Sequence, residues 1–149
     1  FLEKMMTAAR SDTAPLLVLS AYRSFGTQST LKTNYNVTYG TGANKFSADQ
    51  GYSEHQLGST IDLTTPENPE SLATAFAKTQ QYTWLMRHAH EYGFVLSYPE
   101  GNNFFQFEPW HWRFVGVALA TRLYNENKSF YDLDQREINP YLSRIFDTK

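Results

Sequence analysis

The chain predicts an α+β fold, a small, mainly antiparallel sheet with helices packed against it. Three observations lead there. Five short apolar runs of strand length are bounded by Gly, Pro, Asn or Ser. Stretches with helical spacing lie before, between and after them. And 149 residues, 41% hydrophobic and 16% aromatic, suit one core, with no internal repeat or low-complexity segment to divide it. The expected organisation is one domain over residues 1–149, with a core of about 2–124 and a C-terminal extension of 125–149.

Residues 1–10 read as a helix with Leu2, Met5, Met6 and Ala9 on one stripe, ended by Ser11-Asp12 and Pro15. Leu16–Ser20 is a short apolar run, read as a buried strand. A helix is expected from near Thr27 to before Asn34. From Lys32 to Tyr52 no period is visible, so this segment reads as a long loop, a feature often tied to function. In Ser59–Leu63, Ile61 and Leu63 point to one face and Thr60 and Asp62 to the other. Helical spacing returns in two segments between Glu70 and Tyr92, with Tyr82, Leu85, Met86 and Ala89 as the stripe and Gly93 as the stop. Phe94–Tyr98 and Phe104–Phe107 read as strands joined by the Pro99–Asn102 turn, and Trp110–Val115 as a further strand after Pro109. Gly116–Tyr124 reads as a helix. The polar tail, interrupted by Pro140, adds a surface helix.

Composition excludes several chemistries. There are no cysteines, so disulfides, thiolate metal sites and a cysteine nucleophile are all ruled out. A metal would need His, Asp or Glu. Net charge is -2 with no basic run, which argues against nucleic acid as a partner. No stretch approaches the ~20 apolar residues of a membrane helix. Ser20 and Ser24 lack the His and Asp spacing of a serine hydrolase.

The four histidines sort into two kinds. His88 and His90, two apart on one helix, point roughly 200° from each other and are poorly placed to share a metal. They read as surface or half-buried helix residues. His55 lies in Ser53-Glu54-His55-Gln56-Leu57-Gly58, where Gly58 permits a turn into the strand carrying Asp62. His111 lies in Glu108-Pro109-Trp110-His111-Trp112-Arg113. Positions three apart on an unbroken strand face opposite sides, but the Pro109 break can turn Glu108 into the same cleft as His111. Catalytic zinc sites commonly take three protein ligands of this sort and leave a fourth position for water. On residues alone the packing alternative stays open: His55 and Asp62 fit either reading, and a Glu–His pair beside tryptophans is more often packing. Arg113, on the His111 face, reads as pairing with an acidic residue, and Trp110 and Trp112 as core.

These pieces resemble the bacterial zinc D-alanyl-D-alanine carboxypeptidases of the vancomycin-resistance type and their L,D-carboxypeptidase relatives. The matching motifs are Ser20-Ala21-Tyr22-Arg23-Ser24 with Gln28, Ser53 to Gly58 with Asp62, and Glu108 to Arg113. His90 to Phe94 followed by Tyr98-Pro99 also matches, so the resemblance runs from about Leu2 to Tyr124. It implies that His55, Asp62 and His111 bind Zn2+ in a cleft on the sheet, with Glu108 as the catalytic base. Arg23 would hold the substrate carbonyl or carboxylate, and Gln28 and Ser53 would line the substrate pocket. The chain departs from the pattern at Thr60, where a smaller residue is usual, and in the loop of residues 32–50, which matches no motif.

The resemblance implies removal of a C-terminal D-amino acid from peptidoglycan stem peptides. L,D-carboxypeptidase or endopeptidase specificity, and a non-catalytic wall-binding module, are the alternatives. A monomer in the cell envelope or periplasm is expected, with an export signal or anchor outside these 149 residues.

Overall fold

The computed structural model describes residues 1–45, 47–103 and 105–147. It has helices α1 (Leu2–Ser11), α2 (Phe25–Tyr39), α3 (Gln80–His88), α4 (Val117–Glu126) and α5 (Gln135–Leu142). The strands are β1 (Leu17–Ser20), β2 (Thr60–Thr64), β3 (Phe94–Leu96) and β4 (His111–Phe114). They form one antiparallel sheet in the order β1-β2-β4-β3. The α+β expectation is met. Among the described residues no helix is long and apolar enough to cross a membrane.

The alternation in β2 decides the layering. Ile61 and Leu63 enter a core with Trp112, Phe94, Leu85, Trp84, Ala89, Met5 and Ala9, so α1 and α3 cover that face. The Trp84 indole donates to Asp12 Oδ2 at 2.8 Å, tying α3 to the end of α1. On the opposite face β2 presents Thr60 and Asp62, both buried. Beside them Val95 packs against a second cluster formed by Val115, Leu119, Leu123, Phe130 and Leu133. α5 lies outermost, with no fully buried residue, in keeping with the expected surface helix.

Four expectations need correcting. β1 is not buried: Leu17, Val18 and Leu19 are each 38% exposed, because β1 is an edge strand paired only to β2, with an irregular register after Val18. An apolar run alone does not separate an edge strand from a central one. The helix expected to stop before Asn34 runs on to Tyr39, and Gly40–Lys45 follows as a 3-10 turn, so much of the expected loop is helical. α2 buries only Gln28 and Lys32, which leaves no apolar stripe to read. Residues 105–107 form no strand: the Phe105 amide donates to Asn102 Oδ1 at 2.9 Å, and β3 pairs with β4 instead. Phe104 lies outside the described residues. The helical stretch after Glu70 is a 3-10 turn at Thr74–Lys78, then α3, then a 3-10 turn at Ala89–Tyr92. In its expected stripe, Met86 is 44% exposed, and Trp84 takes the buried place.

Candidate metal centre and active site

Sheet register builds the centre. Asp62 on β2 is the direct cross-strand partner of His111 on β4, so their side chains stand together on one face. His55 arrives from the 3-10 turn Glu54–Leu57, which Gly58 ends at φ +70°, a left-handed conformation that favours glycine. That turn is laced to the chain after β1: the Arg23 amide donates to the His55 carbonyl at 3.1 Å, and His55 Nδ1 meets the Ala21 carbonyl at 2.7 Å.

These contacts settle which ring atoms face the centre. A carbonyl only accepts, so His55 Nδ1 carries the proton and Nε2 is left facing Asp62 Oδ2 at 3.3 Å. His111 has the reverse arrangement, with Nε2 2.9 Å from Glu54 Oε2 and Nδ1 3.1 Å from Asp62 Oδ1. One donor atom from each of His55, Asp62 and His111 lies within 4.8 Å of the others, and all three residues are buried. Two imidazoles and one carboxylate, each imidazole fixed through its far nitrogen, make a donor set that fits zinc.

Glu108 joins them through a β-turn. The His111 amide donates to the Glu108 carbonyl at 3.0 Å across Pro109, at the turn position where proline is favoured. The turn brings residues three apart to the same side, as expected, and Glu108 Oε2 sits 3.5 Å from His111 Nδ1. Burial, reinforced by the negative charges of Asp62 and Glu54, pushes the Glu108 carboxyl up to about 7 against the pull of His111. Asp62 and Glu54 go the other way. Burial opposes their charge, but hydrogen bonds from His111 and from their other partners outweigh it and hold both near 2. The same two carboxylates raise His111 to about 9 despite its burial.

The cleft around these groups holds about 290 Å³ and is also lined by Arg23, Gln28, Ser53, Tyr98 and Phe105. Arg23 donates to Gln28 Oε1 at 2.9 Å and to Ser20 Oγ at 3.3 Å. Gln28 is buried, and its amide nitrogen donates to the Ala48 carbonyl at 2.7 Å. It therefore braces Arg23 against the segment 47–48 that walls the cleft. Ser53 is buried, and its hydroxyl does not cap the turn that follows it. Every site residue expected from sequence is thus brought to one cleft. Thr60 stands opposite Arg113, its buried hydroxyl without a partner among the described residues. His88 pairs with Glu91, and His90 stacks on Tyr124 at 3.7 Å; neither belongs to the cluster of His55, Asp62 and His111.

Sequence reasoning missed Glu54, Ser97, Tyr98 and Tyr131. Glu54 is the acidic partner expected for Arg113, at 2.8 Å. It is adjacent to His55, a position that could have flagged it. Tyr98 lies 4.8 Å from the His111 ring, centroid to centroid. Tyr131 carries no local signal.

Comparison with known proteins agrees with this geometry. The family model described as D-alanyl-D-alanine carboxypeptidase, VanY, matches residues 1–117. A D-alanyl-D-alanine carboxypeptidase of Enterococcus faecium is 30% identical over 130 residues, 85% of this chain and 39% of that protein. The chain spans half or less of the length of the curated relatives it matches. Among solved structures, the LD-carboxypeptidase LdcB superposes with a TM-score of 0.80 at 31% identity, over 86% of this chain and 62% of LdcB. A mutant of the vancomycin-resistance D,D-pentapeptidase VanY in complex with Zn(II) gives 0.75 at 27% identity, over 88% of this chain and 78% of that one. With the family model covering residues 1–117 of 149, this chain belongs to the VanY family of D-alanyl-D-alanine carboxypeptidases.

Proposed function

We propose that the chain is a zinc hydrolase that removes the C-terminal D-alanine from peptidoglycan stem peptides. One observation carries the reading. The three donor atoms of His55, Asp62 and His111 converge within 4.8 Å, and the Glu108 carboxylate stands 3.5 Å from His111 Nδ1 in the same cleft.

A peptide bond resists hydrolysis because water is a weak nucleophile and the tetrahedral oxyanion is unstable. Zinc, when bound by His55, Asp62 and His111, supplies Lewis acidity that polarises a carbonyl and makes water a better acid. Glu108 is the carboxylate placed for the remaining work. Buried in the same cleft, 3.5 Å from His111 Nδ1, its Oε2 can take a proton from the attacking water and return it to the leaving amine. Arg23 presents a permanent cation to the cleft, suited to an oxyanion or to the free C-terminal carboxylate that defines a carboxypeptidase substrate. Gln28 and Ser20 hold its fork in place, and the Ser53 hydroxyl adds a polar contact on the cleft wall.

The fit to LdcB favours a second reading of the same chemistry, cleavage after an L-centre in a tetrapeptide. Synthetic stem peptides ending in D-Ala-D-Ala or in a single D-Ala, scored for released alanine, separate the two. Stoichiometric zinc with no release from either peptide would leave the wall-binding module.

A further inference from the structure

We propose that Tyr131 is a positioning residue for the metal centre, acting on His111 through Glu54. The inference rests on the zinc reading above and concerns a residue beyond the 1–117 stretch that the family model matches.

Glu54 is buried, and each of its oxygens meets two donors. Oε2 accepts from Ser97 Oγ at 2.7 Å and faces His111 Nε2 at 2.9 Å. Oε1 accepts from Arg113 Nη1 at 2.8 Å and from Tyr131 Oη at 2.7 Å. The orientation of this carboxylate selects the His111 tautomer that turns Nδ1 toward Asp62. Tyr131 also reaches the same ring indirectly: it stacks on Tyr98 at 6.0 Å and 10°, and Tyr98 packs on His111. Its neighbour Phe130 lies under the Arg113 guanidinium at 4.2 Å. The 3-10 turn Phe130–Asp132 thus grips Glu54 and its cationic partner together. The turn itself is anchored by a reciprocal Ser129–Asp132 capping box and by Phe130 in the second hydrophobic cluster.

Removing the Tyr131 hydroxyl leaves Oε1 with one fewer donor and lets the carboxylate rotate away from His111. Partners one step from a metal ligand typically contribute about 10–100-fold to metal affinity. Tyr131 is one step further out, so a loss of about 3–10-fold is expected for Tyr131→Phe, which keeps the ring and its stacking.

The experiment is a zinc titration of the full chain against a chromophoric chelator, for wild type, Tyr131→Phe and Glu54→Gln, with the Tm of each metal-free protein measured alongside. The proposal expects Kd for zinc to rise about 3–10-fold in Tyr131→Phe and further in Glu54→Gln, while the metal-free Tm of Tyr131→Phe stays close to wild type. A purely structural tyrosine would shift Tm and leave Kd alone, and a Kd unchanged in Tyr131→Phe overturns the proposal. Wild type that binds zinc but releases no alanine would sink the hydrolase reading and leave the Kd comparison intact. Wild type that binds no zinc would overturn both.

Discussion

Glu108 and His111 close a single turn, yet the proposed mechanism gives one the proton and the other the metal. Glu108→Gln keeps the size of the side chain but cannot accept the proton. It should retain one zinc per chain while kcat falls about 10²–10⁴-fold in steady-state assays. The same substitution has a pH signature in the metal-free protein. The folded pKa of Glu108 lies above its unfolded value, so its contribution to stability is present below about pH 4.5 and lost as pH rises through 7. At pH 8, metal-free Glu108→Gln should melt above wild type, and the gap should close by pH 4 in thermal melts. His55→Ala removes one of the three proposed ligands, and elemental analysis should find zinc reduced well below one per chain. Arg23→Lys tests the substrate end. One ammonium cannot reproduce a fork held by Gln28 and Ser20, and kcat/KM on free-acid stem peptides should fall about tenfold or more. Unchanged kinetics would leave Arg23 a scaffold residue.

The elements divide into those with a readable pattern and those held by polar contacts. α1, β2 and α4 were legible because their apolar residues repeat at helical or strand spacing. The convergence of the candidate site was partly legible because Gly58 and Pro109 mark the turns that bring His55 and Glu108 to the strands, whereas the roles of His55, Asp62 and His111 followed from the family resemblance and not from the residues alone. α2 was only half legible. Its start is capped by Ser24, and its Thr30, Thr33 and Thr38 hydroxyls bond to carbonyls four residues back. Such contacts leave no hydrophobic period. Nor does a tail residue announce contact with a motif 77 positions away, as Tyr131 makes with Glu54. Lys32 shows what the polar elements contribute. Its buried ammonium donates to Asn44 Oδ1 at 2.7 Å and to the Ser47 carbonyl, and pairs with Asp49 at 3.3 Å. It pins the wall of the cleft to α2. Lys32→Met should cost about 1–3 kcal/mol in denaturant unfolding and raise KM more than it lowers kcat.

Across the whole molecule, the buried charges couple the fold to pH and to metal. Glu54 and Asp62 have folded values near 2, below their ordinary carboxylate range. The stability they add is present above about pH 4.5 and lost as pH falls toward 2. In the metal-free protein His111 titrates at about 9, because Asp62 and Glu54 both favour its cation. A proton at Nδ1 competes with a metal for the same lone pair, so zinc affinity should rise about tenfold per pH unit from neutrality toward pH 9. Chelator competition at pH 6.5, 7.5 and 8.5 reads that slope directly.

The most direct measurement of the central claim is mass spectrometry of purified muropeptides incubated with the zinc-loaded chain and, in parallel, with zinc-loaded Glu108→Gln. The expected result is loss of one alanine from the stem peptide with the wild-type chain and little or none with the variant, although both carry one zinc. Intact stem peptides after incubation with the zinc-loaded wild type, or equal trimming by the variant, would contradict the account.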